Sequence, residues 1–164
     1  MIKDLYSDPE LYDAAHWWKT NDIEFIANAA TKFGGPVLEM AAGTGRLALP
    51  IIEQGINYTG IELSSVFAKF ARKKLEKFKD LSQVLEGDMR KIDLDLKFQF
   101  IFIGFNSIFH LLKNEDVRLF LSCVYSHLLD DGLFLIDAFV PHPIFLYRAK
   151  QKYYVMEFDW PSGG

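Results

Sequence analysis

Five short, apolar-rich runs constrain this chain most: "VLEMA" (37–41), "YTGIEL" (58–63), "SQVLEGD" (82–88), "FQFIFIGF" (98–105) and "LFLIDAF" (133–139). Between and before them lie segments with helical spacing. "NDIEFIANAATKFG" repeats its apolar residues at Phe25, Ile26 and Ala29 and stops at Gly34-Gly35. "RLALPIIEQG" is helical provided Pro50 falls in the first turn or marks a kink. "SSVFAKFARKKLEKF" starts on a serine cap at Ser64 or Ser65, and "NEDVRLFLSCVYSHLL" opens with an acidic turn and closes at "DDG". Strands that are nearly continuous apolar runs are buried on both faces. When they alternate with helices, they form a parallel sheet covered on both sides. The expected fold class is therefore α/β, a doubly wound three-layer αβα sandwich, and its ligands gather at the carboxyl ends of the strands. Glu39, Glu62, Asp88 and Asn106 all fall at or just beyond such ends.

Length and composition narrow the class further. A chain of 164 residues suits a single domain, and half apolar with 15% aromatic residues is enough for a packed core. The net charge of −4 and the lack of a basic groove argue against a nucleic-acid partner. The one basic cluster, "ARKKLEKFKD" (71–80), reads as the solvated face of a helix. Cys123 is the sole cysteine, which removes disulfides and thiolate metal centres and leaves a buried structural thiol. No signal pattern opens the chain and no apolar run reaches membrane-spanning length, so a cytoplasmic protein without a membrane partner is expected.

The turn after the first run, "GTGRLA" (43–48), matches G-x-G-x-x-A, and Glu62 follows near the spacing of a ribose-binding acid. A ligand-free tight turn would use the same glycines. A dinucleotide site would bring a diphosphate to the helix start, where Glu39 would face it without a paired cation. At about 4–6 Å and an effective dielectric of about 20, that repulsion costs several kcal/mol. A cationic ligand reverses the sign, and S-adenosylmethionine (SAM) carries an ammonium and a sulfonium and no phosphate.

Five segments then carry a resemblance. "LEMAAGTGR" resembles the first motif of the class I SAM-dependent methyltransferases, "YTGIELSS" the second and "LEGDMRKI" the third. "FIGFNSIFHLL" and "LLDDGLFLIDAF" resemble the segments around their fourth and fifth strands. The likeness spans roughly residues 10–140 and implies a Rossmann-like sheet of order 3-2-1-4-5 with SAM as cofactor. It departs from the family at Ala41, where the first glycine usually stands.

The resemblance assigns roles residue by residue. Glu39 steers the cofactor's ammonium, and Ala41, Gly43 and Gly45 line its methionine moiety. Arg46 pairs with its carboxylate, Glu62 accepts both ribose hydroxyls and Leu63 covers one adenine face. Asp88 takes the adenine amino group, Met89 frames the ring, and Asn106 borders the acceptor side with Ser107 and His110. His110 is the one candidate base for a hydroxyl or amine acceptor, since an imidazole side chain can take up a proton. Tyr12, in a segment expected to close over the cofactor, completes the set, with Trp17 or Trp18 as core residues. No metal ligands are expected.

The organisation expected is one domain, 1–164: an N-terminal helical segment (1–35), a cofactor-binding core (36–140) and a shortened tail (141–164). The family's sheet usually has seven strands, whereas here the tail could add at most a sixth, "YYVMEF". Strand five would then be an apolar edge, open to the tail or to a second copy in a homodimer. The activity expected is methyl transfer to a small molecule. The alternatives are a SAM-binding module without catalysis and, more remotely, an NAD-binding domain.

Overall fold

A computed structural model describes residues 4–140. The possible sixth strand "YYVMEF" lies outside the described residues. Five strands form one parallel sheet: β1 (Val37–Met40), β2 (Tyr58–Glu62), β3 (Ser82–Glu86), β4 (Phe98–Ile103) and β5 (Leu128–Ile136). Their order is β3-β2-β1-β4-β5, as expected, with the reversal of chain direction across the sheet falling beside β1.

Strand alternation decides which helices cover which face. Val37, Tyr58, Phe100 and Phe102 pack with Ile26 and Ala30 of α2 (Ile23–Phe33), Ile51 of α3 (Ala48–Ile52) and Ala68 of α4 (Ser65–Lys74). Leu38, Met40, Ile61, Ile101 and Ile103 pack with Phe120 and Val124 of α5 (Asn114–His127) on the other face. Cys123 sits in that second layer as the buried thiol expected, its Sγ donating to the Ile92 carbonyl and its pKa raised by burial.

Two local expectations need correction, Trp17 and Trp18 as core residues and "DDG" as a helix stop. The N-terminal helical segment consists of two α-helices. The first, α1 (Pro9–Ala15), is capped by the Asp8 side chain, which accepts from the amides of Glu10 and Leu11. A turn then leads to α2, which ends at Gly34 with φ of +85°. Trp17 and Trp18 fall in that turn and are 64% and 44% exposed, so neither is core. "DDG" does not close α5 ahead of a separate strand. It lies inside β5, where the pairing with β4 jumps from Phe98↔Leu128 to Phe100↔Leu133. Pro50 is the third residue of α3, within the first turn, where its missing N–H costs no bond.

Two features of β1 and its turn carry measurable consequences. Glu39 shares the inner face of β1 with Val37, is 3% exposed, and accepts a hydrogen bond from the Tyr58 hydroxyl at 2.5 Å. Gly60 leaves room for that hydroxyl, since a Cβ there would sit 2.9 Å from it. Burial pushes the Glu39 carboxyl up to about 8, against the opposing pull of the Tyr58 hydrogen bond and the Arg46 charge. Ala41, two residues on, has φ of +58°, the left-handed region that favours glycine.

Because the folded-state pKa of Glu39 lies above its unfolded value, its contribution is fully present below pH 4.5 and is lost as pH rises to about 8. Thermal melts across that range should therefore show the wild type losing stability relative to Glu39→Gln, with the difference levelling off above pH 8. A constant difference would show that the group does not titrate in the core. Ala41→Gly relieves a left-handed alanine at the expense of some unfolded-state entropy. Urea denaturation of the free protein should show a net gain of roughly 1 kcal/mol.

Candidate cofactor site

A cavity of about 620 Å³ opens at the carboxyl ends of β1, β2 and β3. The strand order reverses beside β1 there, which is where a doubly wound sheet places its ligand. Its walls come from five parts of the fold. Ala41 and Gly43 belong to the glycine turn, Glu62 and Leu63 end β2, and Asp88, Met89 and Arg90 follow β3. Tyr6 and Tyr12 reach it from the N-terminal segment, and Ser107 and His110 from the short 3-10 turn after β4.

The centre of the site is a contact between two of these walls. The Gly43 amide donates to Glu62 Oε2 at 2.8 Å, and the Ser64 amide donates to Oε1 at 2.8 Å. In a dinucleotide site the glycine-turn amide is the group that meets the phosphate. Here a carboxylate already holds it, and α3 begins only at Ala48, three residues past Gly45. Gly43 has φ of +57° and Gly45 +73°, the left-handed region that favours glycine.

Beyond β3, the Asp88 carboxylate is gripped by Arg90. Nε reaches Oδ1 at 2.9 Å, Nη2 reaches Oδ2 at 2.6 Å, and the Arg90 amide also donates to Oδ1. Arg90 Nη1 continues to Asp116 in the first turn of α5. These hydrogen bonds outweigh burial and hold Asp88 below the usual carboxylate range, so it is an ionised acceptor at neutral pH. Glu62, Asp88 and Arg90 are the acidic and basic side chains among the lining residues apart from His110, and Arg90 is committed to two carboxylates. The cavity therefore repels a diphosphate and suits a ligand that carries positive charge.

Tyr12 forms part of an aromatic group over the opening. Its ring lies 4.2 Å from His16, 5.3 Å from Phe67 and 5.8 Å from Tyr6, which in turn meets His110 edge-on at 5.8 Å. Burial raises the Tyr12 phenol to about 12, so it stays a neutral hydroxyl.

The structure thus gathers Tyr12, Ala41, Gly43, Glu62, Leu63, Asp88, Met89 and His110 around one cavity. It does not bring four other expected residues to the wall. Glu39 faces Tyr58 in the core and is largely protonated below its raised pKa, so the charge argument made from it passes to Glu62. Arg46 is bidentate to Asp22, with both bonds at 2.8 Å, and also donates to the Lys19 carbonyl, which leaves it turned away from the cofactor carboxylate expected there. Arg46 outweighs the burial that would raise Asp22 and holds that carboxyl below its ordinary value. Gly45 packs against α4, where a Cβ would meet Ala71 at 3.4 Å. Asn106 turns its Oδ1 to the Phe139 amide.

Tyr6, Ser64, Phe67 and Arg90 line the cavity without having been expected. Only Arg90 left a usable signal: an arginine two residues after a strand-end aspartate, within reach of the same carboxylate.

Comparison with known proteins agrees with this geometry. The model of a family described as "Methyltransferase domain" matches residues 37–132. An uncharacterized methyltransferase of Geobacillus sp. (strain WCH70) is 32% identical over 112 residues, covering 68% of this chain and 50% of that protein. The glycine/sarcosine N-methyltransferase of Aphanothece halophytica is 27% identical over 126 residues, covering 74% and 47%. Among solved structures, the glycopeptide N-methyltransferase MtfA complexed with S-adenosyl-L-homocysteine (SAH) superposes with a TM-score of 0.62 at 32% identity, covering 72% of this chain and 52% of that one. The chain spans 41–50% of the length of the curated relatives it matches. With the glycine turn, the strand-end acids and the matched domain in agreement, the chain belongs to the class I SAM-dependent methyltransferases.

Proposed function

We propose that the cavity binds SAM and that the protein transfers its methyl group to a small-molecule acceptor. The observation that carries this reading is the bond from the Gly43 amide to Glu62, which fills the phosphate position with a carboxylate. When bound, the cofactor supplies a methyl group on a positively charged sulfur, ready for in-line displacement. The protein's part is chiefly alignment. Glu62 keeps lone pairs on both oxygens for the ribose hydroxyls, and Asp88, ionised by Arg90, accepts from the adenine amino group. Leu63 and Met89 frame the base, and Tyr12 covers it. Ala41 and Gly43 face the methionine portion, while Glu39, Gly45 and Arg46 are engaged elsewhere, by Tyr58, α4 and Asp22.

The names of two similar proteins specify methyl transfer to nitrogen, one of them on glycine or sarcosine. An amine is accordingly the acceptor group we assign. His110, on the acceptor side of the wall, is the base available to take its proton. Net charge −4 and the acidic cavity support a small molecule rather than nucleic acid. Among the described residues no helix is long and apolar enough to cross a membrane, and a cytoplasmic location is proposed on that footing. A homodimer rests on the outer edge of β5, which pairs with β4 alone among the described residues. A monomer at every concentration in sedimentation would remove it.

Calorimetry with SAM, SAH and NAD tests the cofactor, and methyl release against a panel of small amines tests turnover. SAM and SAH should bind and NAD should not. Glu62→Ala should weaken SAH roughly 10- to 100-fold by removing two charge-assisted acceptors, while Asp88→Asn, which keeps one acceptor, should cost less. Binding without turnover would leave a cofactor-binding module. NAD uptake with indifference to SAM would overturn the proposal.

A further inference from the structure

The N-terminal segment that supplies Tyr6 and Tyr12 to the cavity is lightly attached. Leu11 is the sole buried residue of α1, and α1 spans seven residues. Two polar anchors hold it, and both come from the glycine turn and the helix beyond. At the far end of its connection, Arg46 binds the Asp22 carboxylate and the Lys19 carbonyl, which pins residues 19–22 to the turn. At the near end, Asp13 Oδ1 accepts from the Thr44 hydroxyl at 2.5 Å and Oδ2 accepts from Lys74 Nζ at 3.0 Å. Lys74 also reaches the Thr44 carbonyl at 3.4 Å, so α1, the turn and α4 meet in one triangle.

The asymmetry between the anchors matters. Thr44 is 2% exposed and Asp22 is 6% exposed, whereas Asp13 and Lys74 keep about a third of their side-chain surface in water. The Arg46 anchor is therefore the more buried of the two and the Asp13 anchor the more releasable, and residues 16–18 form the turn between them. Asp13 neighbours Tyr12 on α1, so breaking its bonds frees the helix that carries the cavity-lining ring.

We infer that Asp13 is a positioning residue: its carboxylate latches α1 onto Thr44 of the glycine turn and thereby sets how long a ligand stays in the cavity. The inference rests on the cofactor reading above for the ligand's identity, but the latch has a readout of its own. The hydroxyl of Thr44 sits one residue beyond Gly43, whose amide Glu62 holds. The turn is thus gripped by β2 from one side and by α1 from the other, and a bound ligand lies between the two grips.

Two measurements on the full chain test this. Hydrogen exchange without ligand should show faster exchange of the α1 amides in Asp13→Ala and Thr44→Val, with β1 and β4 amides unchanged. Stopped-flow displacement should show SAH leaving both variants roughly tenfold faster than wild type, with association changed by less than about twofold. Thr44→Ser, which keeps the hydroxyl, should release SAH at the wild-type rate. The double variant should be no faster than Asp13→Ala, since the bond that Thr44→Val removes is already lost there. Wild-type α1 exchange and release in Asp13→Ala and Thr44→Val would overturn the latch, as would effects that simply add. If the wild type takes up no SAH, the cofactor reading fails, and the α1 exchange still decides the latch.

Discussion

The arrangement of the site depends on one hydrogen bond, from the Gly43 amide in the turn after β1 to the Glu62 carboxylate at the end of β2. It settles three things together. It closes the glycine turn against its neighbour and gives a strand-end carboxylate a fixed orientation through a second amide, that of Ser64. It also removes the N–H that an anion would need. Parallel pairing of β1 with β2, with Met40 opposite Ile61, brings the two ends level, and Glu62 follows directly. The site is thus a consequence of sheet register. A shift of one residue would turn Glu62 to the other face and leave the turn amide open.

Three carboxylates at or near the carboxyl ends of β1, β2 and β3 have different fates, and their surroundings explain why. Glu39 is buried against a phenol and is driven towards its neutral form. Glu62 is bound by two amides and borders the cavity. Asp88 is held ionised by a forked arginine. A carboxylate within a few residues of a glycine turn is therefore not in itself an electrostatic statement. The strand face on which it sits decides whether it acts as a charge on the ligand or as a hydrogen-bonding part of the core.

That distinction marks what the sequence could tell. The sheet was legible because β1, β2 and β4 are apolar on both faces, and order followed from resemblance of the motifs. Glu62 and Asp88 were legible because a strand end exposes its last side chain and the next few. Glu39 was misplaced because it lies one residue before the end of β1, where alternation turns it inward, and no feature of the chain announces Tyr58 as its partner. Arg46 was misplaced for a related reason. Its partner Asp22 lies 24 positions earlier, and pairing over that separation depends on where α2 docks. Trp17 and Trp18 looked like core by size alone, yet they fall in the turn between α1 and α2, which faces outward.

The same long-range pairings give the N-terminal segment its place. Arg46 and Thr44 are two residues apart in the glycine turn, yet they fix the two ends of the segment that carries Tyr12, through Asp22 and Asp13. A turn evolved only to bend the chain would need its glycines and nothing more. Here the two non-glycine polar side chains that follow Gly43 are both spent on the N-terminal segment, and the amide of Gly43 is spent on β2. Every polar group that "GTGR" offers to its surroundings in these contacts organises the walls of the cavity. The turn therefore shapes the site mainly by fixing β2 and α1 around the cavity, with the contact surface of Ala41 and Gly43 as its direct share.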